Sequence, residues 1–330
     1  MQSQIISVKF TPTTPLPLQG MGEIGPGAWR HNISLLPPPS TLLGALAAPH
    51  LQEASGNTRE KRLKKALKHI GIGFEAARAV YALINGIILL PSRTSFIPLN
   101  QVANRREEKV LGKTPVYESL SQKRTHVKLL ARAEQPNKLV DEDIGGLYQR
   151  KRLSHLQPVP QSKTLSNIEI YLDIKVKQAD LHRVREIRGI TRLPRTPVSY
   201  EVVDRSPLLQ FLQEKWRYGK KALLLVATPI LTRPTNKDLL ALFKDDLIKK
   251  ATGLDIRGPY PVIKDEKPEI QPLFPGFDQG MRRREPLYTA LMPGAAYVAE
   301  NIDDWEKLYL AEMGEKTFLG YGVIIPVPIR

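Results

Sequence analysis

Cysteine is absent from all 330 residues, which excludes disulfides and thiolate metal sites and fits a reducing cytoplasm. Histidine is sparse. His31, His50, His69, His126, His155 and His182 are scattered, no two of them fall at helical ligand spacing, and no metal site is expected. Long hydrophobic runs are missing too. The most apolar stretch, Val80 to Leu90, is broken by Asn85-Gly86 and falls well short of the ~20 residues that a membrane helix needs. Residues 1–10 lack a basic start followed by an apolar core, so the expectation is a soluble, cytoplasmic chain with no membrane contact.

The usual catalytic and phosphate-binding strings are also lacking. There is no Gly-x-x-x-x-Gly-Lys-Ser/Thr, no G-x-S-x-G elbow and no H-E-x-x-H helix. Gly20 to Gly25 formally spells G-x-G-x-x-G, but Pro26 follows where a helix should open, so no dinucleotide cofactor is expected. Asp245-Asp246 and Asp303-Asp304 are sequence neighbours, which point in different directions on a helix and make poor metal clamps.

What the chain does have is positive charge: 49 Lys and Arg against 33 Asp and Glu, a formal net of +16. An excess of that size attracts phosphates at long range and speeds encounter with nucleic acid. Ribosomal proteins and nucleases carry the same excess, and an enzyme charged for solubility would too. Apolar residues make up 42% and charged residues 25%, enough for one large core or two ordinary ones.

Ile5 to Phe10 alternates as a strand and opens into a Pro/Gly-rich loop from Thr11 to Pro39. Ser40 or Thr41 can cap a helix beginning at Leu42. Thr58 to Ile70 spaces Leu63, Leu67 and Ile70 as one buried stripe in a basic helix. Asn85-Gly86, between two apolar runs, predicts a hairpin. Residues 101–163 hold 13 Lys and Arg against 7 Asp and Glu with few apolar runs, which reads as a basic insertion. Regular patterning returns with a strand over Ser166 to Lys177, and a basic segment follows to Pro197. A helix from Ser206 to Trp216, a buried strand from Lys221 to Leu231 and a helix from Lys237 ended by Gly253 come next. Two late strands follow Tyr288. This order predicts an α+β fold. Two ferredoxin-like (RRM-like) units with long loop insertions satisfy it: residues 1–165 with the basic insertion, and 166–330 with a glycine loop at 319–322.

Two places invite chemistry. His31, beside Arg30 in the first loop, could act as general base on a ribose 2′-OH, or contact RNA without catalysis. Gly320-Tyr321-Gly322 sets a ring between two glycines, where backbone can approach a ligand and the ring can stack on a base.

Taken in order, PPPSTLLGAL at Pro37 to Leu46, Ala227-Thr228-Pro229, PGAAYV at Pro293 to Val298 and the G-Y-G loop resemble the RAMP superfamily of CRISPR proteins. The similarity is greatest to the subunit that caps the crRNA 5′ handle in type III-B (Cmr) effector complexes, with the type III-A (Csm) counterpart as an alternative. The resemblance implies a non-catalytic crRNA-binding subunit without cofactors, in contact with the large polymerase-like subunit and the repeating backbone RAMP subunit. Arg30, His31, Ser40, Thr41, Gly320, Tyr321 and Gly322 would hold the handle. The basic segments would supply further RNA contacts through Arg105, Arg106, Lys109, Lys123, Arg124, Arg188 and Arg192. The alternative activity is a metal-independent endoribonuclease that processes CRISPR repeats with His31. Landmarks of the family are not found between Gln101 and Lys163, and the G-W element expected near the late loop is missing.

Overall fold

A computed structural model describes residues 3–12, 17–18, 36–56, 58–84, 86–92, 95–113, 117–118, 151–152, 169–177, 187–193, 196–216, 220–235, 238–263, 267–275, 277–278, 283–284 and 286–330. Eight strands form the first sheet: β1 (Ser3–Pro12), β2 (Phe74–Ile84), β3 (Ile87–Pro91), β4 (Ser95–Pro98), β5 (Tyr117–Glu118), β6 (Glu169–Lys177), β7 (Arg188–Leu193) and β8 (Thr196–Val203). Their order across the sheet is β5-β4-β3-β2-β6-β1-β8-β7, with every pair antiparallel.

The second half adds β9 (Ala222–Val226), β10 (Ile230–Thr232), β11 (Ile256–Pro261), β12 (Ile270–Leu273), β13 (Tyr288–Leu291), β14 (Ala295–Ala299) and β15 (Ile324–Pro328). Four of these make a sheet in the order β11-β14-β9-β15, and the other three make a separate arm, β10-β13-β12. The central strands of both large sheets follow one plan. Taken in chain order within each group, β2-β6-β1-β8 and β11-β14-β9-β15 both run second, third, first, fourth. Helices and antiparallel sheets are thus mixed along the chain, and the class is α+β.

Alternation in β1 and β6 decides what each face of the first sheet buries. Ile6, Val8, Phe10, Ile170, Leu172, Ile174 and Val176 point to one side. There they meet Leu42, Leu43 and Leu46 of α1 (Pro39–Ala47) and Leu63 and Leu67 of α2 (Arg59–His69). Thr58 caps α2, accepting from the Lys61 N–H at 3.2 Å, as its place before the apolar stripe predicts. The expected hairpin also forms between the flanking runs, with Ile84 opposite Ile87.

The other face of the sheet carries Ile5, Ala79, Tyr81 and Tyr171, and the second half packs there. α5 (Pro207–Lys215; α3 and α4 are Leu99–Val102 and Glu107–Val110) contributes Leu208 and Leu212. After α6, a helical run over residues 239–252, α7 (Trp305–Leu310) adds Leu308 and Tyr309. The two halves share a core across this face, and Leu231, Leu273, Tyr288, Leu319 and Tyr321 of the second half also join the core on the α1 side.

The structure corrects several expectations. The strand Glu169–Lys177 lies between β1 and β2 of the first sheet, and β8 lies on the other side of β1, so residues 169–203 belong with the first sheet and not with a unit starting at 166. Periodicity specifies a strand but not its neighbours. The strand expected from Lys221 to Leu231 is two strands in two sheets, split around Thr228-Pro229, since proline cannot donate to a ladder. The first late strand likewise divides at Pro293-Gly294. α1 begins at Pro39 rather than Leu42, with Pro38 at the cap position and no side-chain cap. Proline suits a first helical turn because the missing N–H has no partner there.

Candidate nucleic-acid interface

The helix start and the glycine loop do meet. The Ala77 N–H donates to the Phe318 carbonyl at 3.0 Å, and the loop after it lies on the first residue of α1. Gly320 and Gly322 have φ of +87° and +72°, which only glycine adopts at low cost. A Cβ on Gly320 would sit 2.5 Å from Pro39 Cβ, and one on Gly322 would sit 1.8 Å from the Met313 oxygen. Both glycines are needed for packing between chain segments.

That packing closes the place where a base was expected. Tyr321 is 0% exposed, and its hydroxyl donates to the Pro275 carbonyl at 3.2 Å, so the ring is core and has no face to offer a base. Ser40 is only 8% exposed and Thr41 is half-buried, which removes the Ser40 hydroxyl from the surface. The continuous apolar run from Val323 to Ile329 that follows the loop was the available sign of a fully buried segment.

The remaining predicted contacts fall in two separate places. Arg188 and Arg192 are exposed on β7, one edge of the first sheet. Arg105, Arg106 and Lys109 are exposed on a segment beyond the opposite side of that sheet, docked on the second half. Here the Asn104 N–H donates to Pro328 O (2.7 Å), Arg330 N–H to Arg105 O (2.8 Å) and Gly112 N–H to Pro261 O (2.8 Å). Glu107 fixes the same segment, with Lys221 Nζ at 2.7 Å and an Arg257 nitrogen at 3.1 Å. Burial would raise the Glu107 carboxyl, but these two cations hold it below the usual glutamate range. Arg30, His31, Lys123 and Arg124 lie outside the described residues.

One polar cluster was missed in the sequence. Asp173 on β6 is fully buried and accepts hydrogen bonds from four hydroxyls on four different elements. These are Ser7 of β1, Tyr81 of β2 (3.2 Å), Ser206 at the α5 cap (2.7 Å) and Tyr309 of α7 (2.7 Å). Burial lifts its carboxyl to about 6 against the downward pull of those hydroxyls. Beside it the buried Arg78 donates to the Leu310 carbonyl at 2.7 Å, where α7 ends. The cluster joins the halves and is closed to any ligand.

No known protein family's sequence description matches the chain, and no curated protein does. Solved structures do. A chain of a type III-B Cmr-beta complex bound to cognate target RNA, determined by cryo-electron microscopy, superposes with a TM-score of 0.50 over 98% of each chain, at 13% identity. The same kind of complex with target RNA and AMPPnP gives 0.49 over 96% of this chain and 95% of that one, also at 13% identity. A RAMP protein binding different RNA substrates gives 0.35 over 98% of this chain and 99% of that one, at 12% identity.

The first superposition makes this an α+β chain whose fold recurs, almost end to end, in a chain of a type III-B Cmr complex.

Proposed function

We propose that the chain is a non-catalytic RNA-binding subunit of a type III CRISPR effector complex, holding the repeat-derived 5′ end of the guide RNA. The observation that carries this reading is the near full-length fold match to a chain of the Cmr-beta complex. The formal charge of +16 supports a polyanionic partner. The repeated second-third-first-fourth strand order supports two ferredoxin-like halves. In this reading the chain bridges the large polymerase-like subunit and the repeating backbone subunit in the cytoplasm, and works without a cofactor.

Incubating the purified chain with repeat-derived RNA in EDTA tests the reading. A shifted, uncut RNA is expected. A product ending in a cyclic phosphate, abolished by His31→Ala, would replace it with the repeat-processing endoribonuclease. No binding to that RNA, alone or with co-expressed neighbours, removes both.

A further inference from the structure

We propose that the outward face of β7 is a contact for single-stranded RNA, with Arg188 and Arg192 holding phosphates on either side of a base that lies on Ile190; this rests on the RNA-binding reading above. Three large apolar side chains are exposed among the described residues. Ile190 is the most exposed of them at 77%, against 51% for Leu240 and 38% for Leu287. It is also the one set between two arginines at a spacing of two.

Strand geometry explains the arrangement. Alternation turns Thr191 and Leu193 toward α1, where the Thr191 hydroxyl donates to the Ala45 carbonyl, and turns Arg188, Ile190 and Arg192 the other way. Gly189 lacks a side chain because Tyr200 crosses there: a Cβ would lie 2.8 Å from its hydroxyl oxygen. Opposite the outward row, β8 presents Glu201 to Arg188, Ser199 to Ile190 and Pro197 to Arg192. Glu201 is already taken by Lys9, with which it makes a close ion pair. Among the described residues neither arginine has a hydrogen-bond or ion-pair partner. Against the described residues the face thus offers two unpaired guanidiniums about 13 Å apart along the strand, four residues at ~3.3 Å each, with an apolar platform midway.

The charge of this face selects the occupant. Two guanidiniums flanking an apolar surface suit alternating phosphates and bases, the pairing by which single strands are bound without sequence readout. Edge-strand arginines disfavour pairing with another basic strand, including a second copy of this chain. An acidic protein strand is the competing occupant.

The test uses the full chain and a fluorescently labelled single-stranded repeat-derived RNA, with anisotropy followed across a salt series. Arg188→Gln with Arg192→Gln should flatten the log–log salt slope by about 1.4, or ~0.7 for each single-strand phosphate that is no longer neutralised. Ile190→Ala should weaken binding about fivefold at every salt, the low end for a stacked base, without changing the slope. Ile190→Tyr should bind at least as tightly as the parent. All these side chains are exposed, so melting temperatures should stay put, and a variant that melts early is replaced by ultraviolet crosslinking of the parent, read for RNA attached within 188–193. Parent-like binding by all the variants, or crosslinks elsewhere only, overturns the placement. If the variants lose a co-purifying protein while keeping RNA affinity, the face belongs to an acidic strand and the proposal is wrong. If the parent itself binds no RNA, the RNA-binding reading fails first.

Discussion

Replacing Asp173 with asparagine should stabilise this protein at neutral pH. The carboxylate is fully buried, and its folded-state pKa of about 6 lies above the ordinary 3.8. Between those values the folded chain keeps a proton that the unfolded chain has released, so stability falls as pH rises from about 4 to 6 and stays lower above. Two pKa units amount to about 3 kcal/mol. Asparagine has the shape of the neutral acid and keeps one carbonyl acceptor. Its amide N–H groups can donate to hydroxyls, which accept as readily as they donate. The variant should match the parent near pH 4 and exceed it by about 2–3 kcal/mol at pH 7.5. Urea unfolding at several pH values measures this, followed by the fluorescence of Trp216 and Trp305, whose rings stack with centroids 6.4 Å apart. Asp173→Ala is the contrast. It removes the acceptor that four buried hydroxyls share, leaving Tyr81 and Ser206 only each other, and should cost about 3–5 kcal/mol. A stability gap between parent and D173N that does not change with pH would refute the reasoning, because the hydroxyls would then favour the anion as much as burial disfavours it.

Gly322→Ala adds a methyl 1.8 Å from the Met313 oxygen at a φ of +72°, and should lower stability by at least about 3 kcal/mol in thermal or urea unfolding. Tyr321→Phe removes one buried hydrogen bond, to the Pro275 carbonyl, and should cost about 1 kcal/mol while leaving RNA affinity unchanged in anisotropy. Glu107→Gln weakens the attachment of the basic segment to the second half and should cost about 0.5–1 kcal/mol, vanishing at high salt in melting curves. Its folded pKa is depressed, so the parent's advantage is present at neutral pH and is lost as pH falls through that lowered value.

Local elements were legible in the sequence because their signals are local. Thr58 before a spaced apolar stripe, Asn85-Gly86 between two apolar runs and Ser206-Pro207 at a helix start each carry their own turn or cap chemistry. Sheet membership was not legible: β6 alternates equally well as a member of either half. The same strand hid the buried cluster. Its polar face, Tyr171 and Asp173, reads as solvent-facing until four hydroxyls from elsewhere satisfy the carboxylate. At the proposed interface the convergence of α1 with the glycine loop was foreseen, but its tightness was not. The ring expected to stack on a base became core, and the most exposed large apolar side chain among the described residues is Ile190, whose only trace in the sequence is an isoleucine alternating with two arginines.

The position of β1 in the first sheet also bears on how the chain is made. Ser7 lies opposite Asp173 on one side and Val203 on the other, so both neighbours of the opening strand are encoded more than 160 residues later. At a synthesis rate of ~5–20 residues per second, β1 waits roughly 10–40 s on the ribosome before its sheet can close. Through that interval Ile5, Ile6, Val8 and Phe10 have no strand beside them, on a chain whose pairings are predominantly long-range. The first sheet can close only once Val203 has been made, and the basic stretch over residues 101–163 emerges before the strands that will flank β1. A nascent chain stalled within that stretch would present β1 as an unpaired hydrophobic edge, the kind of surface that chaperones hold and that aggregates when they do not.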